Sequence, residues 1–194
     1  MIPDQVLSTD PIGGLFLPPR GNRGSLDLLI DYERGGTDIG DATDGLQVKD
    51  WTGQYIGNNV VLSAPAVAPV TVLTVPGITE LAFTFDQQMR VFVAYMVGAN
   101  GFFYWFDTVG SAYTTTALPG GSVSPRCSLD DKRQLQTSTS DIILAYVRAG
   151  RLRFLAQRDR YDTEYDLGPV PGQVLSQCGM SDVNRFQFLM KPEP

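Results

Sequence analysis

The stretch Asp141-Ile-Ile-Leu-Ala-Tyr-Val-Arg-Ala-Gly-Arg-Leu-Arg-Phe-Leu-Ala-Gln-Arg-Asp-Arg-Tyr-Asp-Thr-Glu-Tyr165 decides the fold. An apolar run, Ile142 to Val147, meets Ala149-Gly150, and Arg151, Leu152, Arg153 and Phe154 then alternate polar with apolar. Two short runs of strand-forming residues joined by a glycine turn read as a β-hairpin. Earlier in the chain, Val91-Phe-Val-Ala-Tyr-Met-Val97 leads through Gly98-Ala-Asn-Gly101 into Phe102-Phe-Tyr-Trp-Phe-Asp107. Ala94-Tyr95 recurs as Ala145-Tyr146, and Asp107 as Asp159. A tyrosine follows each aspartate by six positions, at Tyr113 and Tyr165, and then comes Leu118 or Leu167. Such spacing implies two repeated units, near residues 78–120 and 127–168, each with the strand content of one propeller blade. The second copy carries an insertion, Asp131 to Ser140, that the first lacks.

Two units do not close a ring. Three arrangements remain open: an N-terminal hairpin acting as a further, decayed blade; two sheets facing each other as a sandwich; or several chains completing the structure together. The expected fold class is all-β, with antiparallel sheets built from two propeller-blade-like units, as a sandwich or incomplete propeller, and an extended N-terminal arm. Val91 to Val97 is apolar on both alternating faces, so something must cover the strand on each side. The five aromatics from Phe102 to Phe106 divide between the two faces. They read first as core, with Tyr104, Trp105 and Tyr113 as the alternative, stacking on a glycan.

Composition agrees with this reading. Among 194 residues, 20 Gly and 13 Pro favour many turns over long helices. A net charge of −6 opposes general nucleic-acid binding, which needs clustered Lys and Arg against phosphate. No apolar run has the length of a membrane span, and Met-Ile-Pro-Asp-Gln lacks the pattern of a signal peptide, so synthesis in a cytoplasm is expected. Cys127 and Cys178 have neither zinc-site nor disulfide-scaffold spacing and read as free thiols. The chain contains no histidine, which excludes Ser-His-Asp, Cys-His and His-metal sites built from it alone.

Residues 1–45 are rich in Pro and Gly and read as an extended arm. Within it, Ser25 to Tyr32 is apolar enough to form a docking strand, with Leu26, Leu28, Leu29 and Ile30 as candidate interface residues, either on this chain or on a neighbour. Residues 46–168 form the β domain and 169–194 a C-terminal extension, where Arg185-Phe-Gln-Phe-Leu-Met190 alternates weakly as a possible final strand. Asp38, Asp41 and Asp44 lie three apart in a loop. That spacing does not match the calcium loop, which places acids two apart and closes on a glutamate, so no metal or other cofactor is expected.

The segments Leu129-Asp-Asp-Lys-Arg133, Ser140-Asp-Ile-Ile-Leu-Ala-Tyr-Val-Arg148, Gln157-Arg-Asp-Arg-Tyr161 and Glu164-Tyr165 together resemble a group of tailed-bacteriophage virion proteins. Pro76-Gly-Ile-Thr-Glu80, Phe85-Asp86 and Tyr104-Trp105-Phe-Asp107 fit the same group, so the likeness spans about residues 40–168. It implies a non-enzymatic structural component of a virion, assembled in the host cytoplasm, in the tail tip, baseplate or collar. The implied partners are copies of itself and other tail, collar or portal-associated proteins, with a host surface glycan as a further option. Arg148, Arg151, Arg153, Arg158 and Arg160 then become candidate subunit-interface residues. Interleaved as they are with Asp159, Asp162, Glu164 and Asp166, they read either as a salt-bridged strand face or as an Arg-carboxylate contact to the next subunit. A glycosidase-type site would have to come from Asp130, Asp131, Asp141 and Asp159, because that chemistry needs two carboxyls and no histidine.

Overall fold

The computed structural model describes residues 29–32, 50–64, 67–86, 88, 90–130, 141–180 and 186–193. The chain is all-β. The first sheet is β1 (Leu29–Tyr32), β2 (Asp50–Ile56), β3 (Asn59–Ser63) and β4 (Val70–Thr74). The second is β5 (Ile78–Phe85), β6 (Val91–Val97), β7 (Asn100–Asp107) and β8 (Ala112–Ala117). The third is β9 (Ser122–Leu129), β10 (Ile142–Arg148), β11 (Arg151–Ala156) and β12 (Tyr165–Pro169). Each is an antiparallel meander in which every strand pairs with the next in sequence. The fourth sheet has two strands among the described residues, β13 (Gln173–Met180) and β14 (Phe186–Pro192). No barrel closes.

The repeat expected from the sequence thus corresponds to the second and third sheets, and a further four-stranded sheet precedes them. The strand expected in the N-terminal arm pairs within its own chain: Leu29 to Tyr32 run antiparallel to Gly53 to Asp50. Leu26, Leu28 and the acidic loop carrying Asp38, Asp41 and Asp44 lie outside the described residues, as does the insertion Asp131 to Ser140. The boundary expected at 168–169 falls inside β12. Beyond it the chain forms a hairpin that packs on the third sheet.

Local chemistry sets the turns. Ala149 and Gly150 both take positive φ, 51° and 67°, which suits the two-residue turn between β10 and β11 because it matches the twist of the paired strands. Side chains alternating across each strand then build three cores between successive sheets. Trp51, Val60, Leu62, Leu81, Phe83 and Val93 fill the space between the first and second sheets. Gly53 marks the closest approach there, since a Cβ on it would lie 2.9 Å from Phe83 Cε1. Phe92, Ala94, Phe103, Trp105, Leu144 and Tyr146 fill the space between the second and third. Ala145, Leu152, Leu175, Cys178 and Phe188 join the third to the fourth. As expected for β6, Val91, Val93 and Tyr95 enter one core and Phe92 and Ala94 the other.

One buried cation braces the first strands of three sheets. Arg126 in β9 is 3% exposed; its Nε donates to the Ser176 carbonyl of β13 at 2.9 Å, and Nη1 donates to Pro125 O at 2.7 Å and Glu80 Oε2 of β5 at 3.1 Å. Both carbonyls sit where strand register shifts, at Ser124-Pro125 and at Ser176. A bulge removes ladder partners, and the guanidinium supplies replacements. Cys127 and Cys178 are both buried, and neither forms a disulfide.

Candidate functional site

The fourth sheet has half the strands of the third, so the β11–β12 side of the third sheet overhangs it. A groove of about 380 Å³ opens there, lined by Ile143, Phe154, Tyr165, Leu167, Phe186 and Phe188. Phe154 and Tyr165 stack face to face, centroids 4.7 Å apart, and Phe186 tilts against Phe188 at 5.2 Å. Tyr165 is 39% exposed. Aromatic rings in a concave, partly wet surface are the usual material of a binding site.

Asp130 and Arg158 form the polar end of the groove. Asp130 follows β9 and Asp141 precedes β10, and the two close the base of the insertion: Asp130 N donates to Asp141 O at 2.8 Å, and Asp141 N donates to Asp130 Oδ1 at 2.6 Å. Arg158 lies across them, with Nε 2.6 Å from Asp141 Oδ2 and Nη2 3.5 Å from Asp130 Oδ2. Burial raises the Asp141 pKa; the Arg158 charge pulls it back and the Asp130 charge adds to the rise. The net shift of Asp141 is upward, because burial outweighs the Arg158 guanidinium. Asp159, in the short 3-10 turn Gln157–Asp159, has both carboxylate oxygens buried without a partner at good hydrogen-bond geometry. The Tyr165 hydroxyl approaches it closely enough for that carboxylate to raise the tyrosine pKa. Of the four aspartates considered for glycosidic chemistry, Asp130 and Asp141 are brought together, Asp159 lies in the turn Gln157–Asp159 near Tyr165, and Asp131 lies outside the described residues. Among the described residues, no group of three potential metal ligands converges.

The five candidate arginines find carboxylates in their own chain. Arg148 and Arg153 converge on Glu164, with Arg148 Nε 3.0 Å from Oε1 and Arg153 Nη1 2.7 Å from Oε2, and Arg148 Nη2 also reaches Oε2. The buried Tyr146 hydroxyl donates to the same carboxylate at 2.6 Å. Burial alone would raise the Glu164 pKa; the hydrogen bonds from Arg148 and Tyr146 outweigh it, and the net shift is downward. Arg151 holds Asp166 at 2.7 Å, and Arg160 reaches Asp107 of the second sheet at 2.9 Å. These contacts brace β10, β11 and β12 to one another and, through Arg160, to the second sheet.

The three aromatics weighed for glycan stacking separate. Trp105 is 8% exposed, lies in the core between the second and third sheets against Tyr161, and donates its indole N–H to Thr116 Oγ1 at 3.0 Å. Its ring has no free face for a sugar, which removes it as a contact. Tyr104 and Tyr113 stack on each other at 4.8 Å, and the Tyr113 hydroxyl accepts from Val91 N at 3.2 Å. The matched offset of Tyr113 and Tyr165 also does not survive in three dimensions. Tyr113 stacks on Tyr104, which packs toward the first sheet, whereas Tyr165 stacks on Phe154, which packs toward the fourth. The cause is that Asp107 lies within β7, while Asp159 lies in the longer turn after β11, where Arg160 and Tyr161 both take positive φ.

Sequence reasoning missed Phe154, Leu167, Phe186 and Phe188 as groove residues and Arg126 as a brace. A lone Arg within Ser122-Val-Ser-Pro-Arg-Cys-Ser-Leu129 was the available sign for the latter. No family model matches this chain, and neither a curated protein nor a solved structure matches it.

Proposed function

We propose that this chain is a non-enzymatic structural subunit of a tailed-phage virion, present in several copies in the tail tip, baseplate or collar. The observation that carries the reading is the half-built fourth sheet. Among the described residues three sheets have four strands and the last has two, which leaves β14 as a sheet edge and the aromatics of β11 and β12 only partly covered. Edges and overhangs of this kind are managed in assemblies by the neighbour that covers them. The intrachain brace of Arg148, Arg153, Tyr146 and Glu164 supports it further, since a subunit that bears load gains from fixed sheets.

Quantitative mass spectrometry of purified particles whose genome encodes this chain tests the reading. The expected result is a fixed whole number of copies per particle, together with an oligomeric or insoluble chain when it is purified alone. A well-behaved monomer that is absent from purified particles rejects it.

A further inference from the structure

The difference in strand number between the third and fourth sheets, among the described residues, defines what the groove accepts, and the inference rests on the assembly reading above. We infer that β14 receives an extended strand from a neighbouring protein, whose alternate apolar side chains enter the groove over Phe154 and Tyr165.

Four observations converge. β14 is the outer strand of its sheet among the described residues, so one row of its backbone N–H and C=O groups is available for pairing. Side chains of an added strand would alternate between faces, and those on the inner face would continue the core formed by Leu175, Cys178 and Phe188. The groove lies where that inner face would fall, bounded by Phe186 and Phe188 of β14 on one side and by Phe154, Tyr165 and Leu167 on the other. The third sheet also supplies two further strands, β11 and β12, against which an enlarged fourth sheet would pack.

Charge narrows the partner. At the polar end Arg158 brings one positive charge against the two negative charges of Asp130 and Asp141, and Asp159 lies close by in the following turn. Among the described residues the local balance is negative, so an acidic segment is disfavoured and a neutral or basic one is accepted. Pro192, which lacks an N–H, limits the edge at its C-terminal end. The partner is therefore a short, extended, alternately apolar segment that carries no acidic residue where it passes Arg158.

Hydrogen–deuterium exchange on the purified full chain and on intact particles tests this. In the chain diluted until it is monomeric, alternate amides of Phe186 to Lys191 should exchange rapidly; in particles they should slow at least tenfold, while β7 amides, already paired on both sides, stay unchanged. As an independent measurement, Tyr165→Cys gives an exposed thiol beside the buried Cys127 and Cys178, and a maleimide–benzophenone label on it should cross-link in particles to one extended segment of a neighbouring chain. If the chain is present in particles at fixed stoichiometry but its β14 amides exchange as fast as in the free chain, the inference fails and the assembly reading stands. Cross-linking to a saccharide, or only to the labelled chain itself, also overturns it. Absence of the chain from particles defeats both.

Discussion

The second and third sheets begin from similar sequence and end in different surroundings. The second lies between two four-stranded neighbours. Its Phe103 is 1% exposed and its Trp105 8%, both closed over by the third sheet. The third has a four-stranded neighbour on one side and a two-stranded one on the other, so Phe154, which pairs with Ala145 as Phe103 pairs with Ala94, is only partly buried. The same position in the repeat is core in one copy and groove wall in the other. What decides is the number of strands opposite it, a property the repeat itself does not carry.

The largest expected effect tests that contrast. Phe103→Ala should cost about 3–5 kcal/mol of stability, as for a large side chain removed from a packed core, and Phe154→Ala roughly half as much, read from denaturant midpoints of the two variants. Equal losses would mean that the overhang is as well packed as the interior. Next in size is Glu164→Gln, which leaves Arg148, Arg153 and the Tyr146 hydroxyl without their shared carboxylate. A loss of about 1–3 kcal/mol is expected for charge-assisted hydrogen bonds at a partly buried site.

That second loss should depend on pH. The folded pKa of Glu164 is lowered, so its contribution is fully present above the unfolded carboxylate value of about 4.3 and disappears as pH falls through the lower folded value. The gap in Tm between the wild-type chain and Glu164→Gln should close over that interval. Asp141 acts in the opposite sense. Its folded pKa is raised, so ionising it as pH climbs from the unfolded value through the folded one weakens the fold. A titration of Tm for Asp141→Asn beside Glu164→Gln separates the two.

Smaller differences sharpen the comparison. Tyr95 and Tyr146 are true equivalents, both facing the preceding sheet. Tyr146 donates to a carboxylate, whereas Tyr95 hydrogen-bonds to Thr115. Tyr146→Phe should therefore cost about 1.5–3 kcal/mol and Tyr95→Phe about 0.5–1.5 kcal/mol, measured by chemical unfolding. Least of all is Arg160→Gln, which removes an exposed link to Asp107 and should change stability by about 0–1 kcal/mol.

The fold was legible in the sequence where periodicity and glycine turns carry it. The hairpin at Ala149-Gly150, the two covered faces of Val91 to Val97 and the Tyr95–Tyr146 equivalence all follow from local pattern. The fourth sheet was less legible, because Gln187 interrupts the apolar run of β14 and a register shift at Ser176 breaks the alternation of β13. The groove was not legible at all, since it arises from a mismatch in strand number between two sheets. Offsets also misled once: counting six residues from Asp107 and from Asp159 reached tyrosines on opposite faces, because the turn after β11 is longer than the one after β7. For the arginines, the same-chain partners Glu164, Asp166, Asp141 and Asp107 are brought close by strand pairing and turn geometry rather than by sequence spacing.

The central claim is that the two-stranded fourth sheet is the unfinished surface at which this chain joins its neighbours. A density map of the assembled particle at side-chain detail addresses it directly. The account predicts at least one strand of another subunit hydrogen-bonded along Phe186 to Lys191, with its side chains over Phe154 and Tyr165. Solvent along that edge, in a particle that contains the chain, would contradict it.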